Sequence, residues 1–92
     1  MINNGGGGIF RILPGHEENA VFNTFFETSH QLTAEHLAKM YGLNYFTATD
    51  EKSLESGLNQ LYAENIKAGI LEIFTPTTEN DTILKQFFKE LV

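Results

Sequence analysis

The sequence predicts an α/β fold on a parallel sheet, and three observations carry that reading. Strand and helix signals alternate along the chain. The most apolar segment, Ala68 to Phe74, is broken only by Glu72, and such a run suits a strand covered on both faces, the habit of parallel sheets. The chain also opens with a strand end at Ile2 that passes at once into Asn3, Asn4 and the four glycines Gly5 to Gly8. Strict alternation at this spacing predicts βαβ units with right-handed crossovers.

The elements follow in order. Ile2 reads as the last residue of a buried strand. Glycines at 5 to 8 permit positive φ and let another group approach the backbone closely. A strand that ends in such a loop is where open α/β sheets hold phosphorylated ligands. The connection from Pro14 to Thr33 carries Phe22, Phe25 and Phe26, and a connection of that length is functional or partly helical. A short helix is expected around Glu18 to Phe26, with Thr24 and Glu27 too far along it to form a capping box. Ala34, Leu37, Ala38 and Tyr41 fall on one helical face, and Gly42 follows as a left-handed terminating residue should. Leu43 to Thr47 is the next strand. Asp50 is placed to cap a helix whose inner face is Leu54, Leu58, Leu61 and Tyr62, with Glu51 in its first turn. Pro76 closes the apolar strand. A last helix starts near Asn80 or Asp81 and is expected to bury Ile83, Leu84, Phe87, Phe88 and Leu91.

Composition narrows the class. The 92 residues make one small domain with little stability to spare. No cysteine is present, which excludes disulfides, thiolate nucleophiles and zinc–thiolate sites. No apolar run approaches the roughly 18 residues of a membrane span, and the first residues lack a signal core; the expectation is a cytoplasmic protein. Twelve acidic residues against six basic ones give a net charge of −6. With Arg11 and the five lysines scattered, nucleic acid is not an expected partner.

The glycine run fails two familiar patterns. No Gly-Lys-Ser/Thr follows it, so it is no P-loop, and it leads into the apolar Ile9, Phe10, Ile12, Leu13 and Pro14 instead of opening a helix as a dinucleotide loop does. A plain turn is the alternative. The Asn3–Asn4 pair shifts the balance: an amide carbonyl followed by exposed backbone carbonyls suits Mg²⁺, which takes oxygen ligands and shares them with phosphate and water.

These residues carry a family resemblance. Met1 to Phe10 resembles the end of the cofactor motif of the thiamine diphosphate-dependent superfamily. The longer string Asn-Asn-Gly-Gly-Gly-Gly-Ile-Phe-Arg-Ile-Leu-Pro is similar to the 2-succinyl-5-enolpyruvyl-6-hydroxy-3-cyclohexene-1-carboxylate synthase family, and so are Phe22 to Phe26, Thr28-Ser29, His36-Leu37-Ala38 through Tyr41-Gly42, and Leu71-Glu72-Ile73. The resemblance covers essentially the whole chain. It implies a three-layer parallel-sheet fragment, the C-terminal half of a thiamine diphosphate-binding domain, spanning residues 1–92 as one partial domain.

It also implies chemistry: a menaquinone-pathway transferase that decarboxylates 2-oxoglutarate and adds the remaining unit to isochorismate. Asn4 and the backbone carbonyl of Gly6 become the Mg²⁺ ligands, with Asn3 competing for the first role. Asn4, Gly6, Gly7 and Ile9 become cofactor-binding residues, and Ile9, Phe10 and Leu13 the apolar cover beside the thiazolium and substrate. Arg11 departs from the small polar residue the family pattern leads one to expect, and a solvent-facing side chain is expected there. No catalytic residue is assigned to the chain, because the missing metal-binding aspartate, activating glutamate and substrate-binding arginines belong elsewhere in such an enzyme. The expected partners are the remainder of its own enzyme and further copies of it. On its own, the chain is expected to be inactive and to self-associate through exposed sheet edges. Competing readings are a fragment of a sister enzyme such as acetolactate synthase, and a small acidic interaction module with no catalytic role.

The remaining polar residues have plain readings. His16, His30 and His36 lack the spacing of a zinc helix and are expected in surface or capping roles. Glu72 is expected to be met by a backbone or side-chain donor, the alternative being an acid–base role with a raised pKa.

Overall fold

The computed structural model describes residues 1–13, 19–63 and 67–91. Pro14, His16, Glu18 and the start of the helix expected at Glu18 lie outside the described residues. The elements run β1 (Ile2–Asn3), α1 (Ile9–Ile12), a π-helical turn (Phe22–Phe26), α2 (Glu35–Met40), β2 (Asn44–Ala48), α3 (Glu51–Ala63), β3 (Gly69–Phe74) and α4 (Asn80–Glu90). They gather into two compact units, one of Met1–Asn3 with Leu32–Thr75, the other of Asn4–Gln31 with Pro76–Val92.

The first unit is the sheet. Its strand order is β1-β3-β2, all parallel, with Ile2 opposite Ile73 and Ala48 opposite Ile73 across the other edge. The apolar run thus forms the central strand, as its composition predicts, and the fold class is α/β with a parallel sheet. β3 is bonded on both sides, with the Ile73 and Thr75 amides donating to the Met1 and Asn3 carbonyls at 2.9 and 3.0 Å. Along it Leu71 and Glu72 are both buried, on opposite faces of the pleat.

Capping chemistry sets α3. The Ser53 amide donates to the Asp50 carboxylate at 2.7 Å, while Ser53 Oγ accepts from the Thr49 and Asp50 amides. Those Ser53 bonds, backbone first, hold the Asp50 carboxyl below its ordinary value. Gly57 is buried where the helix meets the sheet; a Cβ there would lie 2.7 Å from Leu71 Cδ1. Gly42, at φ +67°, ends α2 in the left-handed region.

Three packing expectations are corrected. Ile2 is exposed and its strand neighbour Asn3 is buried instead, because β1 is an edge strand of two residues. Along α2 and its two flanking residues, Ala34 and Ala38 are buried while Leu37 and Tyr41 are exposed; a six-residue helix approaches the sheet along its line of small residues and leaves the large ones at its sides. In α3, Leu54 and Leu61 are half-buried, but Leu58 and Tyr62 are exposed.

The second unit holds α1, the π-helical turn and α4. Its interior is Phe22 together with two charged residues, Arg11 and Glu27. The helix expected over the phenylalanines is present as a π-turn, with the Glu27 amide closing it onto the Phe22 carbonyl at 3.1 Å. α4 begins where the sequence places it, yet none of its residues is buried: Ile83, Phe87, Phe88 and Leu91 are exposed and Leu84 is half-buried. Within its unit α4 meets α1, a helix of four residues, which is too short to cover an apolar face of eleven.

Candidate functional site

The glycine loop follows β1 directly and belongs to the second unit. Gly5 takes φ +72°, a conformation other residues enter at a cost of about 1–2 kcal/mol. The Asn4 side-chain carbonyl then accepts the Gly6 amide at 3.1 Å, closing an Asx turn. A Cβ on Gly8 would lie 2.9 Å from Asn4 Nδ2, so the asparagine lies across the fourth glycine. Gly8 precedes α1, and its carbonyl accepts the Arg11 amide at 3.1 Å. The glycines do open into a short helix, contrary to the sequence reading.

A second segment straps the loop down. The Glu27 carbonyl accepts the Gly7 amide, and the His30 amide donates to the Gly5 carbonyl at 2.8 Å. The contact is tight enough that any side chain would press on it. A Cβ on Gly6 would stand 3.0 Å from both the carbonyl oxygen and Oε1 of Glu27, and one on Gly7 would stand 3.1 Å from the same carbonyl. Thr28 turns the strap at φ +52°, a strained value for a β-branched residue. Three of the four glycines are therefore closely approached and one takes a positive φ, which is more than a plain turn asks.

Arg11 is the largest correction. The expected solvent-facing side chain is 4% exposed. Its Nε donates to Glu27 Oε2 at 2.7 Å, a second guanidinium nitrogen donates to Asn23 Oδ1 at 3.0 Å, and the guanidinium lies 5.0 Å from the Phe22 ring centre. Bidentate, planar and able to stack, arginine is the cation suited to such a place. Glu27 Oε1 is buried and accepts no hydrogen bond among the described residues.

Beside the loop lies a cleft of about 220 Å³ lined by Asn4, Gly8, Ile9, Arg11, Ile12, Thr77, Asn80 and Asp81. Of the residues singled out from sequence, it gathers Asn4 and Ile9. Phe10 and Leu13 are not in its wall; both are exposed, and Phe10 packs edge-on against Phe26 at 5.5 Å. Asp81 and Asn80, read only as a helix start, and Thr77 were missed. Lys85 ties this wall together, its Nζ donating to the Arg11 carbonyl at 2.7 Å and standing 3.8 Å from Asp81. Sequence held no specific signal pairing Arg11 with Glu27, since Glu17 and Glu18 stand nearer along the chain.

Asn3, the competing metal ligand, sits in the sheet unit. Its Nδ2 donates to the Leu32 carbonyl and to Glu72 Oε2, both at 2.8 Å. Glu72 also accepts the Ala34 amide at 2.9 Å and the Tyr45 hydroxyl. Burial pushes its carboxyl up, but the bonds from Tyr45, Ala34 and Asn3 outweigh it and hold the group below its ordinary value. Glu72 is thus met by donors, as the plainer reading expected. Among the described residues no three His, Asp or Glu side chains cluster as a metal site, and no helix is long and apolar enough to cross a membrane.

The fold and loop define an α/β protein with a glycine loop at the carboxyl end of a parallel strand. No family model matches the sequence, but curated proteins do. The chain is 70% identical over 91 residues to 2-succinyl-5-enolpyruvyl-6-hydroxy-3-cyclohexene-1-carboxylate synthase of Flavobacterium johnsoniae, covering 99% of this chain and 16% of that protein. It is 58% identical to the synthase of Flavobacterium psychrophilum with the same coverage, and 38% identical over 88 residues to that of Porphyromonas gingivalis, covering 96% of this chain and 15% of the relative. The chain is homologous to one segment of these synthases and spans about one sixth of their length.

Proposed function

We propose that this chain supplies part of the metal and cofactor site of a thiamine diphosphate- and Mg²⁺-dependent transferase of menaquinone biosynthesis. The reaction is decarboxylation of 2-oxoglutarate and addition of the succinyl-semialdehyde unit to isochorismate. The observation that carries the reading is the pinned Asn4 amide. Its oxygen takes the Gly6 amide with one acceptor position, leaving the second for a cation. The Gly6 carbonyl accepts no hydrogen bond among the described residues. Two hard oxygen donors two residues apart, on a loop held rigid by its contacts, fit Mg²⁺. Asn3 is the poorer candidate, since its amide is already bonded to Leu32 and Glu72.

In this reading Asn4 and Gly6 hold the metal, and Gly6 and Gly7 keep the loop free of side chains where a diphosphate approaches. When bound, thiamine diphosphate supplies the carbon nucleophile and the electron sink for the reaction. Ile9, Phe10 and Leu13 are exposed apolar side chains whose task is to exclude water from the reacting groups. The wider surface also suits a segment of a larger assembly. Phe25, Ile83, Phe87 and Leu91 are more than half exposed, and an apolar groove of about 350 Å³ runs past Leu58, Leu61, Tyr62 and Ile70. Surfaces of this kind mark contact with other protein. The partners are therefore the remainder of the same enzyme and a second copy of it.

The test grafts residues 1–91 into the Flavobacterium johnsoniae synthase in place of the matching segment. The hybrid should bind thiamine diphosphate in a Mg²⁺-dependent way and turn over 2-oxoglutarate with isochorismate. Asn4→Ala should raise the half-saturating Mg²⁺ concentration at least about tenfold. An unchanged Mg²⁺ requirement in that variant would overturn the assignment.

A further inference from the structure

We propose that Arg11 and Glu27 are positioning residues for the metal: a buried buckle that holds the Asn4 amide and the Gly6 carbonyl in register for a divalent cation. This rests on the metal reading above and extends it to two residues that touch neither metal nor cofactor.

The connections close a ring. Glu27 accepts the Gly7 amide with its backbone carbonyl, and its Oε1 lies against Gly6, 3.0 Å from where a Cβ would stand. Its other carboxylate oxygen is bonded to Arg11 at 2.7 Å. Arg11 in turn donates its amide to Gly8, the last glycine of the same loop, at 3.1 Å. Gly6, Gly7 and Gly8 are thereby tied to the two residues of one ion pair, with each side chain 5% exposed. Asn23 and the Phe22 ring fix the guanidinium from two further sides.

The chemistry of the pair argues for a task. It is buried with the Phe22 ring against the guanidinium, where two apolar side chains would fill the space without charge. Replacing a buried ion pair by apolar groups of similar volume is commonly neutral or stabilising. The pair also leaves Glu27 Oε1 buried and without a donor among the described residues, which is unfavourable in itself. What an ion pair provides and an apolar pair does not is a fixed direction. Arg11 orients the carboxylate, and the carboxylate and carbonyl of one residue together bear on Gly6 and Gly7. Metal affinity is sensitive to such outer groups, commonly by 10- to 100-fold.

The hybrid synthase tests this with two readouts, the Mg²⁺ concentration that half-saturates thiamine diphosphate binding and the thermal midpoint. Glu27→Gln should lower the midpoint and raise the Mg²⁺ requirement about tenfold. The double variant Arg11→Met with Glu27→Leu should recover the midpoint yet keep the weakened Mg²⁺ binding. Arg11→Lys retains charge without the fork and should fall between. A Mg²⁺ requirement that returns to normal whenever the midpoint does would make the pair purely structural and overturn the proposal. Asn4→Ala separates the failures. If it weakens Mg²⁺ binding while the buckle variants do not, only this inference falls; if it too has no effect, the metal reading falls and takes the buckle with it.

Discussion

Replacing Glu72 by glutamine should unsettle the sheet unit more than so small a change suggests. The side chain is fully buried and joins three elements: Asn3 of β1, Ala34 at the start of α2 and Tyr45 of β2. One carboxylate oxygen accepts from Ala34 and Tyr45, the other from Asn3. A glutamine can keep its oxygen toward the first two donors, but its NH₂ then faces the NH₂ of Asn3. Turning the Asn3 amide over does not help, since Nδ2 is also bonded to the Leu32 carbonyl and the flip would set oxygen against oxygen. One bond to a charged acceptor is lost, a donor is left unmet, and two bonds become neutral. Against the relief of removing a buried charge, the net loss is about 3 kcal/mol. For a chain this size that moves a urea midpoint by roughly 1–3 M. Equilibrium urea unfolding of the chain at pH 7 measures it. A loss under about 0.5 kcal/mol, the scatter of an ordinary surface change, would refute the account of Glu72 as the junction of the sheet.

The same residues predict a pH response. Because the Glu72 carboxyl lies below its ordinary value of 4.5, its contribution is complete above that value and is lost as pH falls through the lower folded value. Acid unfolding of the chain should steepen below about pH 4.5, and Glu72→Gln should flatten that limb. Tyr45 is opposite in sign: burial, then its bond to Glu72, pushes the phenol from 10.0 up to about 12. Its share of stability is present below pH 10 and disappears between 10 and 12; Tyr45→Phe should remove that alkaline loss, and a persisting alkaline transition in the variant would count against the bond. Gly57→Ala should lower stability by about 1 kcal/mol, because the roughly 1 kcal/mol of helix propensity gained is outweighed by overpacking of about 1–3 kcal/mol against Leu71, 2.7 Å from the new Cβ. A more stable Gly57→Ala chain would mean that α3 stands further from the sheet.

Apart from α1 and the π-helical form of the Phe22–Phe26 turn, sequence by itself determined the order and kind of the elements. Each boundary is set by local chemistry: the Asp50–Ser53 cap, Gly42 in the left-handed region, the apolar run that became the central strand. The candidate loop was legible for the same reason, since four glycines after an amide pair form a local pattern. Tertiary structure alone decided which apolar faces are covered and which charges are buried. Ile2, Leu37 and the Phe87–Phe88 stripe carry the right periodicity, but periodicity names a face without saying whether a neighbour is there to meet it. Arg11 and Glu27 are sixteen positions apart in sequence, and only the strap that lays residue 27 on the glycines brings them together. A charge is free to leave water only where its partner is already waiting, and that is a property of the folded chain.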